Sequence, residues 1–171
     1  TSVMTGLGVY LGMKACAKAV WGSDSLEGRV VAIQGFGHVA AQTASHLLEE
    51  GAKLVVADIH EGALEQAREL GATIVQPDAI YDTECDIFSP CALGGVLNSD
   101  TIPRLRCAIV AGGANNQLLE DENGVELQRR GILYAPDYVI NAGGIINVAS
   151  EMDGGYRPGR AREMTERIYE T

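Results

Sequence analysis

The segment "VVAIQGFGHVAAQTASHLLEEGAKLVVADI", residues 30–59, constrains the fold more than any other part of the chain. An apolar run ends at Gly35-Phe36-Gly37, and the residues that follow switch to helical spacing, with Val39, Ala40, Thr43, Ala44, Leu47 and Leu48 on one side. "EEGA" then places a glycine where helices commonly stop, and a second apolar run, "KLVVADI", begins. Strand, tight turn, helix and strand in this order predict a βαβ unit with parallel strands. Both apolar runs are nearly continuous, which suits a sheet covered on both faces.

The same alternation continues outward. Val9, Met13, Cys16, Ala17 and Val20 predict a helix over Val3 to Val20, with Lys14 and Lys18 on a solvent-facing side. Glu61 to Leu70 reads as a short helix stopped by Gly71, and "ATIV", "CDIFSP", "CAIVAGG" and "GILYAP" as short strands. A helix is expected over Leu118 to Arg130, although "DENG" weakens its first turn, and "NAGGIINVASEM" and "GRAREMTERIYE" carry further helical patterns. These elements predict an α/β fold: a Rossmann-like, doubly wound, mostly parallel sheet with helices on both faces. No repeat or long linker divides the 171 residues, so one domain is expected over 1–171.

Charge and composition exclude several partners. A formal net charge of -10 sets the average field against nucleic acid and anionic membrane surfaces. No apolar run reaches the roughly 20 residues of a membrane span, and the start has no charged-then-apolar leader pattern, so a cytoplasmic protein is expected. Cys16, Cys85, Cys91 and Cys107 are irregularly spaced, without a CxxC pair or a histidine cluster, which favours buried free thiols over disulfides and argues against a metal site.

The glycine turn carries chemistry as well as shape. Gly35, Gly37 and Ala40 form a GxGxxA pattern: the first glycine allows the tight turn, the second lets backbone approach a pyrophosphate, and Ala40 permits close packing of helix on strand. The helix start offers unpaired N–H groups and the positive end of its dipole to phosphate. Asp58 ends the second strand about 20 residues further on, where its carboxylate suits the two ribose hydroxyls of adenosine. That carboxylate would repel a 2′-phosphate, and Ile59, His60 and Glu61 supply no arginine to receive one, so NAD is favoured over NADP. His38 sits near the expected phosphate position and reads more simply as a tolerated loop side chain.

Other small, polar, glycine-rich segments cluster at strand ends. "MTGLGVY" precedes the first strand, whereas "SPCALGG", "AGGANNQL" and "NAGGIINVASE" each follow one. Together with "YAPDYVINAGGIINVA" they make the chain resemble the glutamate/leucine/phenylalanine/valine dehydrogenase family over essentially its whole length, most closely the leucine dehydrogenase branch.

The resemblance implies an oxidoreductase that oxidatively deaminates a branched-chain L-amino acid to its 2-keto acid and ammonia, with hydride transfer to NAD. On that basis Thr5 meets the nicotinamide end, residues Gly35, Phe36, Gly37, His38, Val39 and Ala40 hold the pyrophosphate, and Asp58 with Ile59 holds the adenosine ribose. Cys91 and Ala92 would line the cleft, and Asn115 would stand where nicotinamide ribose meets substrate. Asn141, Ile145 and Val148 would complete the substrate pocket, the last two being apolar and on one helix face, as an aliphatic side chain requires. Plainer roles compete: Thr5 and Asn115 as helix caps, Ile145 and Val148 as ordinary core.

The resemblance implies that the acid and base groups, a lysine and an aspartate, come from a separate N-terminal domain, with a further lysine holding the substrate carboxylate. Lys14, Lys18 and Lys53 are the only lysines here and none lies in a comparable segment, so no catalytic residue is assigned. The chain is expected to be the cofactor domain of a longer enzyme, homo-oligomeric when whole and inactive alone. Phenylalanine or valine specificity on the same framework, and an NAD-sensing domain without catalysis, are the alternatives.

Overall fold

The apolar strand that ends in the glycine turn lies in the interior of a six-stranded sheet, and its position follows from its composition. In the computed structural model, which describes residues 2–136 and 140, the elements run α1 (Ser2–Trp21), β1 (Val30–Gln34), α2 (His38–Glu50), β2 (Lys53–Ala57), α3 (Glu61–Glu69) and β3 (Thr73–Ile74). They continue through β4 (Ile87–Pro90), β5 (Ile109–Val110), α4 (Glu122–Arg129) and β6 (Leu133–Tyr134). Short 3-10 turns occupy Asp78–Asp82 and Ile102–Arg104. The spatial order is β3-β2-β1-β4-β5-β6, with every pairing parallel. This is the doubly wound order, and the crevice at its switch point lies beyond the carboxyl ends of β1 and β4.

Alternate residues of each strand feed two cores. Val31, Ile33, Leu54, Val56, Ile87 and Ile109 join the cluster under α1 and α2. Ala32, Ala57, Phe88 and Val110 face a second cluster with Ile80, Leu97, Ile102, Leu105 and Leu127. Burial on both faces explains the near-continuous apolar runs. None of the described helices is long and apolar enough to cross a membrane.

α1 and α2 approach closely because Gly6 lacks a side chain. A Cβ there would lie 2.5 Å from Gln42 Cβ and 3.1 Å from the Val39 carbonyl oxygen. The buried Thr43 hydroxyl lies 3.1 Å from the Gly6 and Val39 carbonyl oxygens and donates between them. Lys14 pairs with Glu50, whose other oxygen accepts the Leu26 N–H at 3.0 Å. Lys14 is thus not the solvent-facing residue its helical position implied, since its side chain is only 16% exposed.

Three expectations change. Thr5 lies inside α1, which already starts at Ser2, so it does not cap that helix. α4 starts at Glu122 rather than Leu118, because Leu118 bridges to Leu97 and the Leu119 N–H donates to the Leu97 carbonyl at 3.0 Å. Asn123 then closes the entry turn by accepting the Glu120 N–H at 2.9 Å. Asn115 is therefore too far upstream to cap α4. The strand in "ATIV" shortens to two residues.

The Gly6 contact yields a test with opposing terms. Helix propensity alone makes Gly6→Ala stabilising by up to about 1 kcal/mol, whereas overpacking costs about 1–3 kcal/mol. Packing is expected to win, lowering the urea midpoint; a raised midpoint would show that α1 and α2 separate freely.

Candidate functional site

Gly35 ends β1 with φ 87°, the left-handed region in which a side chain is disfavoured. A Cβ there would also lie 2.6 Å from Ala92 Cβ, so the turn after β1 and the loop after β4 pack directly on each other. The Gly35 N–H donates to the Ala57 carbonyl at 2.8 Å, fixing the turn to the end of β2.

Asp58 completes this fastening. Its Oδ2 accepts the Phe36 N–H at 2.7 Å and its Oδ1 accepts the His60 N–H at 2.8 Å. Charge-assisted bonds of this kind hold the carboxylate in one orientation. Two oxygens carry about four acceptor positions, so the group keeps acceptor capacity at the cleft.

Gly37 differs from Gly35. Its φ is -84°, and a Cβ there would meet nothing within 4 Å. The open space lies where α2 begins, and no side chain caps that helix start. The opening N–H groups of α2 have no intrahelical acceptors, and Gly37, immediately before them, lines a cavity.

These features share a cleft of about 480 Å³. Of the residues singled out in the sequence, Gly35, Phe36, Gly37, Asp58, Ile59, Cys91 and Ala92 line it. Phe36 is 1% exposed and belongs to the core as well as to the edge of the cleft. His38, Val39 and Ala40 lie behind the lining in the first turn of α2, with Ala40 buried against the core. Thr5 and Asn115 are outside the lining. The backbone of Asn115 nonetheless meets the loop after β4, because a Cβ on Gly94 would lie 2.9 Å from its carbonyl oxygen. Asn141, Ile145 and Val148 fall outside the described residues.

Seven further residues complete the walls, Gln34, Ala57, His60, Pro77, Tyr81, Leu93 and Val96, and Gln34 Nε2 donates to the Tyr81 hydroxyl at 2.6 Å. Pro77 and Tyr81 belong to a 3-10 turn without long-range periodicity, so only the topology brings them to the site. Ile59 and Leu93, 81% and 76% exposed, present apolar surface there. The Cys91 sulfur lies 3.4 Å from Ser89 Oγ and 3.5 Å from the Gly113 N–H, and burial pushes its thiol pKa up. No lysine or arginine occurs among the described residues lining the cleft.

This geometry is accompanied by a clear relationship in sequence. The model of the Glutamate/Leucine/Phenylalanine/Valine dehydrogenase family matches residues 1–76 and 58–164. The chain belongs to this family. It is 58% identical over 170 residues to a leucine dehydrogenase of Thermoactinomyces intermedius, covering 99% of this chain and 46% of that protein. A phenylalanine dehydrogenase of the same organism is 49% identical over 173 residues, covering 99% and 47% respectively. Among solved structures, L-tryptophan dehydrogenase from Nostoc punctiforme superposes with a TM-score of 0.96 at 47% identity, over 99% of this chain and 52% of that one. The chain spans about half the length of these family members.

The two glycines of the turn separate structural need from open space. Gly35→Ala combines a left-handed backbone penalty with the Ala92 clash and should cost about 2–4 kcal/mol of stability. Gly37→Ala should stay within about 0.5 kcal/mol of the parent. Equal denaturation midpoints for the two variants would contradict this division.

Proposed function

We propose that this chain is the NAD-binding part of a cytoplasmic amino-acid dehydrogenase that interconverts a branched-chain L-amino acid, leucine foremost, with its 2-keto acid and ammonia. The observation that carries the cofactor reading is the fixed Asp58 carboxylate facing the open turn at Gly37. A dinucleotide fits that arrangement. The α2 N-terminus and the Gly37 backbone would hold the pyrophosphate, and Asp58 would accept from the adenosine ribose hydroxyls.

Each wall has a corresponding task. Ile59 would cover the adenosine side of the cleft, whereas Cys91 and Ala92 would border the path toward the nicotinamide. Thr5 and Asn115 would orient the nicotinamide carboxamide and ribose, which decides the face of the ring presented to substrate. Asn141, Ile145 and Val148 would contact the amino acid. NAD is preferred over NADP because Asp58 repels a 2′-phosphate and the described lining offers no cation to receive one. When bound, NAD accepts the hydride from the substrate α-carbon. The chain's own part is to bind, orient and exclude water; the acid and base groups for imine hydrolysis belong to the remainder of the enzyme.

Leucine is preferred to an aromatic substrate on the 58% identity to a leucine dehydrogenase, supported by the aliphatic Ile145 and Val148. Phenylalanine dehydrogenase at 49% identity keeps an aromatic substrate as the second reading. The full-length protein is proposed to be a homo-oligomer; the hetero-hexameric glutamate dehydrogenase from Thermus thermophilus, a structural neighbour, supports assembly in general and not its homomeric form.

Calorimetry and kinetics test the two halves separately. The 171-residue chain should bind NAD more tightly than NADP, and Asp58→Ala should weaken NAD about tenfold or more, equivalent to about 1.4 kcal/mol, while shrinking the preference. The full-length enzyme should reduce NAD with leucine at a higher kcat/KM than with phenylalanine, and the chain alone should not. NAD binding without any amino-acid oxidation by the full-length protein would instead favour a sensing role.

A further inference from the structure

At the opposite end of β4 from the cleft, two cysteines stand side by side. Glu84 bridges to Arg106, and Ile87 pairs with Ile109 in parallel register, so Cys85 and Cys107 occupy matching positions on neighbouring strand entries. The Cys85 N–H donates to the Arg106 carbonyl at 3.2 Å, which holds the two backbones together at this level. Both side chains pack against the same apolar cluster, and both residues are half-buried rather than sealed. Neighbouring strands run about 4.8 Å apart, inside the roughly 4.4–6.8 Å Cα separation that a disulfide accepts.

We propose that Cys85 and Cys107 form a reversible redox pair that a hydroperoxide converts to a disulfide joining the entries of β4 and β5. Cys107 is the attacking thiol. Arg130 donates to the carbonyls of Ile102 and Leu105, the second at 3.1 Å, which places its guanidinium beside the Cys107 strand entry. Hydrogen bonding with Cys85, aided by the Arg130 charge and opposed by burial, lowers the Cys107 pKa, whereas the same contact and burial raise that of Cys85. Such an environment favours the reactive thiolate at one member of the pair. Cys16 is the contrast: buried in the core under α1, its thiol is pushed up to about 11.

The chemistry balances in two steps. The Cys107 thiolate attacks one oxygen of hydrogen peroxide; the O–O bond breaks, hydroxide leaves, and the sulfur is oxidised by two electrons to a sulfenic acid. The Cys85 sulfur, giving up its proton, then attacks the Cys107 sulfur; the S–S bond forms, the S–O bond breaks and water departs. Two thiols and one peroxide become one disulfide and two waters. The bond would close a loop that includes Cys91, Ala92, Leu93 and Val96 of the cleft wall, while the bond itself lies beyond the amino ends of the strands.

The test is peptide mapping of the full-length protein after equimolar hydrogen peroxide, with free thiols blocked before digestion. The Cys85 and Cys107 peptides are expected as one linked species, two hydrogens lighter than their sum and separated by dithiothreitol. In Cys85→Ser, Cys107 should be trapped as a sulfenic acid by dimedone, and in parent protein it should react about tenfold or more faster than Cys16. Mapping the parent needs no variant, so a folding defect in Cys85→Ser leaves the test intact. Oxidation confined to other cysteines, or Cys107 reacting no faster than Cys16, would overturn the proposal.

Discussion

Two N–H groups tie the turn after β1 to the end of β2: that of Gly35 donates to the Ala57 carbonyl, and that of Phe36 to the Asp58 carboxylate. The turn can follow that path only because Gly35 takes φ 87° and leaves room for Ala92. Once it does, α2 must start beside the crevice, since Gly37 lines it and the helix begins at the next residue. The carboxylate is thereby also oriented, since both of its oxygens are engaged by backbone. One short contact set thus fixes the polar end of the site and the direction of the helix that packs behind it.

That packing in turn depends on residues far along the chain. α2 lies against α1 through Gly6, and the Thr43 hydroxyl is satisfied by carbonyls from both helices. Burying a hydroxyl without an acceptor would cost about 1–3 kcal/mol, so the close approach and the hydrogen bond require each other. Glu50 extends the same link by joining Lys14 to the Leu26 N–H at the connection into β1. The helix preceding the sheet is therefore part of what aims the glycine turn.

Much of this was legible in the chain itself. The period change at Gly35–Gly37, the acidic residue closing β2 and the two-sided burial of β1 all follow from local pattern, because each is decided by neighbours a few residues away. What was not legible depends on contacts between distant segments. Pro77 and Tyr81 reach the cleft only because β3 lies outside β2 in the sheet. The start of α4 shifts because Leu118 is drawn into a bridge with Leu97, which no helical periodicity encodes. Helical spacing assigns Lys14 to a solvent face, and only the arrival of Glu50 from the end of α2 covers it. Placing Asn115 outside the cleft lining is of the same kind, since its loop is held by backbone packing on Gly94 rather than by a nearby helix.

The composition of the cleft walls limits what they can distinguish. The walls formed by the first two strands and their turns carry one carboxylate, on Asp58, with Gln34, His60, the glycine turn and apolar surface beside it. Relatives named for leucine, phenylalanine and tryptophan are respectively 58%, 49% and 51% identical to this chain. Relatives named for both aliphatic and aromatic amino acids thus share about half or more of their aligned residues with this chain. Between substrates of that kind a pocket discriminates weakly, each extra or missing methylene being worth only about 1–3 kcal/mol. If the cleft holds a dinucleotide as proposed, exchanging aliphatic for aromatic preference calls for changes in side-chain volume away from the glycine turn and Asp58, which serve the nucleotide in either case.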